Sequence, residues 1–257
     1  MDLLIIGITA FSASILTFFS GFGLGTLLMP VFALFFEIEI AIALTGIVHL
    51  MNNLFKTVLV GKNINWDVVL KFGLTGFIGS LIGAFTLLAF SKSNYEISYT
   101  IASQIFTVSP INLFISILIF SFAFLELFPF YKKMSFKKNK IYFGGLLSGF
   151  FGGFSGHQGA LRSAFLIKLN LSKISFIASG IMIATIVDIS RLSIYFTQYK
   201  ELKINENLSA LLTAILCAFI GAYFGRKILN KITVSFIQYS VILMLMLLSI
   251  AMALGII

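Results

Sequence analysis

Residues 144–162 read GGLLSGFFGGFSGHQGALR, inside an apolar run that extends from Ile141 to Ile167. Each glycine adds backbone freedom that is lost on folding, so a lipid-facing helix has little use for so many of them. His157, Gln158 and Arg162 lie among these glycines, and hydrocarbon accepts such groups only at a cost. A weaker copy stands near the start, Gly21-Phe22-Gly23-Leu24-Gly25 followed by Pro30. Two glycine-broken apolar segments at corresponding places in the two halves of a membrane protein point to a transport site.

The rest of the chain fits that reading. Of 257 residues 59% are hydrophobic and only 11% are charged, against about 25% charged in a soluble domain. Mean hydropathy is +1.06. The net charge of +9 sits in short loops between apolar runs, where it sets membrane orientation and calls for no nucleic acid. Cys217 is the single cysteine, so neither a disulfide framework nor a cysteine metal cluster can form within one chain. The opening segment has Asp2 as its only charge and reads as retained structure, not as a signal peptide.

Apolar runs at Leu3–Phe36, Ile38–Val60, Val68–Phe90 and Gln104–Phe128 are followed by a basic loop with Lys132, Lys133, Lys137, Lys138 and Lys140. The order then repeats as Ile141–Leu169, Ile174–Phe196, Leu208–Phe224 and Ile232–Ile256. Gly79-x-x-x-Gly83 recurs as Gly221-x-x-x-Gly225, each in the third long element of its half; this spacing suits close helix packing, within the chain or in a homo-oligomer. The expected organisation is an N-terminal membrane repeat over 1–130, a cytoplasmic basic linker over 131–140 and a C-terminal membrane repeat over 141–257.

The basic loop and the group Arg226, Lys227 and Lys231 mark one side as cytoplasmic. With one crossing each for the two runs after Leu169, the loop around Lys168 and Lys173 falls on that same side. Ile141–Leu169 then begins and ends there as a hairpin, whether its arms span or re-enter, and Leu3–Phe36 is its counterpart from the outside. The expected fold is therefore an all-α polytopic membrane protein of two inverted repeats, each a glycine-broken helical hairpin plus three transmembrane helices. One tilted crossing per broken region would give parallel copies instead. Trp66, Tyr95, Tyr195 and Tyr199 fall near predicted ends, as interfacial anchors do.

Several polar groups inside these runs are candidates for chemistry. Arg162 reads either as a side chain stretched to the headgroups or as an anion contact, since a guanidinium matches carboxylate and tetrahedral oxyanions. Ser155, Gly156, His157, Gln158 and Gly159 would form the turn of the second hairpin. There backbone N–H groups and half-helix ends attract an anion, and His157 is either a ligand or a structural group. Gly23 and Gly25 would do the same in the first hairpin. Asp188 and Arg191 are three apart on one helix and form either an ion pair or, through Asp188, a proton-coupling group. Thr45, His49, Asn52, Asn53 and Lys56 mark one polar helix of the first half, facing a water path or a structural seam.

The two histidines are too far apart for a zinc motif, and no Walker loop or hydrolytic triad is present, so neither an enzyme nor a cofactor is expected. At Gly21-x-Gly23-x-Gly25 with Pro30, at Thr45-Gly46 and at Gly152-Gly153-Phe154-Ser155-Gly156-x-x-Gly159 the chain resembles the TauE/SafE, or sulfite exporter, family. It departs from the family pattern at His157-Gln158, Arg162 and Ala164. The resemblance implies a duplicated membrane transporter for sulfite or other organosulfur anions, driven by an ion gradient. The expected function is secondary transport of a small sulfur-containing or organic anion across a bacterial-type cytoplasmic membrane, with a proton as the candidate co-transported ion and lipids as neighbours. A passive anion channel and a non-transporting scaffold or receptor subunit are the alternatives.

Overall fold

A computed structural model describes residues 3–20, 23–91, 95–101, 103–127, 140–198, 206–228 and 234–256. Gly21, Phe22, Tyr199 and the expected linker up to residue 139 lie outside these residues, as do Lys200, Glu201, Lys203 and Lys231. The helices are α1 (Leu3–Ser20), α2 (Leu24–Ala33), α3 (Ile38–Val60), α4 (Trp66–Ser91), α5 (Pro110–Leu127), α6 (Ile141–Ser155), α7 (Gly159–Leu166), α8 (Lys173–Tyr195), α9 (Leu208–Ile228) and α10 (Val234–Ala253). Four of them, α3, α4, α8 and α9, are long and apolar enough to cross a membrane. Val58, Leu74, Phe85, Leu216 and Leu243 stand exposed on the outer face, which suits contact with lipid. The molecule is a polytopic α-helical membrane protein.

Both glycine clusters interrupt helices. Gly156 ends α6 in the left-handed conformation at φ +81°, which glycine adopts without a Cβ clash. Gly23 precedes α2 with extended backbone. The second arms are short: α2 has 10 residues and α7 has 8. At a rise of about 1.5 Å per residue they reach about 15 and 12 Å, half or less of a hydrocarbon core of about 30 Å. Both arms begin at buried residues, Gly23 before α2 and Gly159 at the start of α7.

The elements of the two halves pair reciprocally. α4 packs on α6 and α1 on α9; α8 lies on α4 and α3 on α9; α3 meets α8, and α5 meets α10. Glycine makes the first of these contacts possible. A Cβ on Gly149 would sit 2.1 Å from the Gly76 carbonyl oxygen, and one on Gly153 would sit 2.1 Å from that of Ser80. Gly79 and Gly83 face the α6 backbone in the same way, and Gly221 faces Phe11 on α1. Both repeated glycine pairs are therefore used inside the chain.

Two expectations are corrected. The run from Gln104 to Phe128 is not one helix: Gln104–Val108 pairs antiparallel with Ile97–Ile101 as strands β2 and β1, and α5 starts only at Pro110. The alternation of β-branched and polar residues there favours a pleated ribbon, and Pro110 suits the first turn of a helix. Tyr195 is no interfacial anchor. It is 1% exposed, and its hydroxyl donates to the Gly153 carbonyl oxygen, tying α8 to α6.

Candidate functional site

The polar residues of α3 recur every three or four positions, so one face of that helix carries Thr45, His49, Asn53 and Lys56, all buried. α8 packs against α3 and carries Thr185, Asp188, Arg191 and Tyr195, also buried. Two hydroxyls on α4 and α8 hold that helix in place: Ser80 Oγ donates to the Val187 carbonyl at 2.9 Å, and Ser190 Oγ to that of Phe77 at 2.8 Å.

Asp188 is the centre of the network. Its Oδ1 accepts from Arg191 Nε at 3.0 Å and Nη2 at 2.8 Å, and from Gln158 Nε2 at 3.4 Å. Its Oδ2 lies 2.6 Å from His49 Nδ1 and accepts from Asn53 Nδ2 at 3.2 Å. Opposite an ionised Asp188, His49 Nδ1 must carry the proton and donate it. Arg191 also donates through Nη1 to the Gly152 carbonyl at 3.3 Å. Residues of α3 and α8, with Gln158 from the break between α6 and α7, thus converge on one carboxylate.

The glycine breaks meet at this centre. A Cβ on Gly25 would lie 3.4 Å from Thr45 Cγ2 and 3.5 Å from the Gly156 carbonyl oxygen; one on Gly156 would lie 3.3 Å from Arg191 Nη1. One on Gly23 would lie 3.0 Å from His49 Nε2. Small residues here let two interrupted segments and a guanidinium share the space.

Beside the network lies a cavity of about 30 Å³ whose polar lining includes His49, Asn53, Lys56 and Arg162, more than the roughly 10–15 Å³ that one water needs. No carboxylate lines it among the described residues. Lys56 is held by Thr17 Oγ1 at 3.2 Å and, in the Asn52 amide orientation that satisfies both of its ends, by the Asn52 oxygen at 3.1 Å. Phe18 and Ile177 separate this cavity from a vestibule of about 540 Å³ lined by Lys62, Asn63 and Arg226.

The remaining candidates sit elsewhere. Asn52 turns to Ser14 and to the Ala218 carbonyl on the seam of α1 and α9. Ser155 Oγ returns to the Phe151 carbonyl of its own helix at 3.1 Å. His157 places Nδ1 2.8 Å from the Ser155 carbonyl oxygen and lines a separate cavity of about 10 Å³ with Thr26, Phe122 and Gly159. His157 Nε2, Gln158 Oε1 and Thr45 Oγ1 are buried without a hydrogen-bond partner. Sequence reasoning gave no site role to Thr17, Phe18 or Tyr195. Thr17 was open to discovery as a polar residue in an apolar helix; Phe18, one of 30 phenylalanines, carries no signal.

The profile of the family described as "Sulfite exporter TauE/SafE" matches residues 6–252. The chain belongs to that family. Neither a curated protein nor a solved structure matches it. Family and fold together make this TauE/SafE protein a multi-pass membrane transporter of a small anion, and not an enzyme. No group of three or more His, Cys, Asp or Glu side chains is placed to hold a metal among the described residues.

Proposed function

We propose that this TauE/SafE protein is a secondary transporter that carries a small sulfur-containing or organic anion across a bacterial-type cytoplasmic membrane, coupled to protons. The anion rests between Lys56 and Arg162, with Asn53 at its inner end. The observation that carries this reading is the charge balance of the buried cavity: Lys56 and Arg162 line it and no described carboxylate does. Asp188, the nearest acid of the network, is already paired with Arg191 at 2.8 Å. Two cationic side chains facing one small space make it attractive to an anion. Arg162 supplies planar donors and Lys56 a point charge.

In the cycle, the anion enters through the vestibule, passes Phe18 and Ile177, and neutralises the two cations. The reciprocal pairing of α1 with α9 and α4 with α6 supports two inverted repeats that rock against one another. The half-depth arms α2 and α7 would then be the moving covers on either side of Asp188. The cavity beside His157 lies on the α2–α7 side of the network and would become the second access route.

Purified protein in liposomes, offered labelled sulfite, sulfate, thiosulfate, sulfonates and carboxylates, should show saturable flux of at least one of them. Arg162→Ala should raise the apparent KM about 10- to 100-fold, the loss of one charge-assisted contact of about 1.5–3 kcal/mol. Unchanged KM in that variant removes Arg162 from the site. Strictly downhill flux at high unitary rate would identify a channel, and absence of flux for every anion would leave a scaffold or receptor subunit.

A further inference from the structure

We infer that His49, and not Asp188, holds the coupling proton of the transport cycle, on its Nε2 atom. The inference rests on the reading above, transport of an anion together with a proton, and names the group that makes the coupling work.

Asp188 is unsuited to the task. Five donors surround its two oxygens: two from Arg191 and one each from Gln158, Asn53 and His49. A proton on that carboxyl would displace donors and leave the Arg191 guanidinium, 0% exposed, without its counter-charge. A buried charge stripped of its partner is among the most costly arrangements in a protein. The carboxylate is therefore a fixed anion that holds Arg191 and sets the orientation of His49.

His49 has the complementary properties. Nδ1 is turned to Asp188, which fixes the tautomer with the proton on Nδ1 and leaves Nε2 as an acceptor. The ring lines the cavity that also holds Lys56 and Arg162. The charged groups around it are Asp188 and Arg191 from α8, Arg162 from α7 and Lys56 from α3 itself. α1 and α2 bring no ionisable side chain.

Two consequences link proton to anion. A second proton on the ring adds positive charge beside two cations, which disfavours it until an anion occupies the cavity; proton and anion therefore bind together. Nε2 also lies under the first glycine break, where a Cβ on Gly23 would come within 3.0 Å. A movement of α2 that opens the site on its own side uncovers the same nitrogen. The step balances simply: Nε2 accepts one proton from water or from a protonated anion on one side. The Nδ1–H bond to Asp188 persists, and Nε2 returns that proton to water on the other side.

His49→Asn tests this, because the asparagine amide keeps a donor near the Nδ1 position and deletes Nε2. The best-carried anion of sulfite, sulfate and thiosulfate is measured in two ways in liposomes: as counterflow with equal anion on both sides, and as accumulation driven by a pH step, with a trapped pH dye reporting protons. A step of one pH unit supports about tenfold accumulation per coupled proton. His49→Asn should keep counterflow within a few-fold and lose both the accumulation and the anion-dependent dye signal. Dye signal and accumulation equal to wild type in His49→Asn would overturn the inference. So would a wild-type protein whose pH-driven accumulation of the anion moves no protons beyond those the free anion carries. Loss of counterflow as well, in a variant that elutes and melts like wild type, would make His49 a binding group and would also overturn it. Absence of wild-type counterflow would instead strike at the transport reading itself.

Discussion

Removing Asp188 should cost this protein a large part of its stability, and the size of the loss follows from what the carboxylate holds. Arg191 has two donors on Asp188, at 2.8 and 3.0 Å, and a third on the Gly152 carbonyl at 3.3 Å. In Asp188→Ala a fully buried guanidinium loses both of its carboxylate contacts and its counter-charge. Breaking a buried pair by deleting one partner costs about 3–5 kcal/mol, and counting the two charged hydrogen bonds separately gives about 3–6 kcal/mol. At about 2–4 °C per kcal/mol for a chain of this length, the midpoint should fall by about 6–20 °C. Arg191→Met deletes the other partner, and the double variant Asp188→Ala, Arg191→Met leaves no stranded charge. Thermal unfolding of the purified protein in detergent, run on all four proteins as a double-mutant cycle, isolates the pair. The double variant should be clearly more stable than the sum of the single losses predicts, with a coupling of about 2 kcal/mol or more. Losses that add to within about 0.5 kcal/mol would refute the reasoning, because they would mean that Arg191 does not depend on Asp188.

The glycine seam gives a second prediction with opposite signs at neighbouring sites. Gly149→Ala puts a Cβ 2.1 Å from the Gly76 oxygen, so α4 and α6 must separate, at a cost of about 1–3 kcal/mol. Helix propensity alone would make the change favourable by about 1 kcal/mol. Gly76→Ala meets only Val187 Cγ2 at 3.4 Å and the Gly145 oxygen at 3.5 Å and should be neutral or stabilising; thermal unfolding reads both, and equal behaviour of the two variants counts against the seam. A third prediction concerns Phe18, which lines both the vestibule and the inner cavity. In a Cys217→Ala background, Phe18→Ala should raise labelling of Asn53→Cys by a membrane-impermeant thiol reagent several-fold from the Lys62 and Arg226 face. No change in the labelling rate would mean that another group closes the path.

Some of this was legible in the chain and some was not, and the division follows the range of the forces. Helix positions follow from apolar period and length, which are local, so the long runs of the sequence and the helices of the structure largely coincide. The glycine clusters announced interruptions because backbone freedom is a property of each residue. The stripe of Thr45, His49, Asn53 and Lys56 was visible because helical spacing puts them on one face. The ribbon over residues 97–108 was missed at its second strand: an apolar window weighs β-branched and helix-forming residues alike.

The sequence by itself determined that two interrupted, glycine-rich segments and a few buried polar groups would sit in a membrane bundle. Tertiary structure alone decided their partners. His49 and Asp188 are 139 positions apart and lie on different helices, and nothing in their local spacing says that they touch. Tyr195 looked like an anchor at a helix end, and only the approach of α6 turned it inward. Asn52, one residue from Asn53, faces α1 and α9 instead of the cavity, because one step along a helix turns a side chain by about 100°. Composition and period are written residue by residue; which faces meet is fixed only when the glycine seams let α4 close on α6 and α1 on α9.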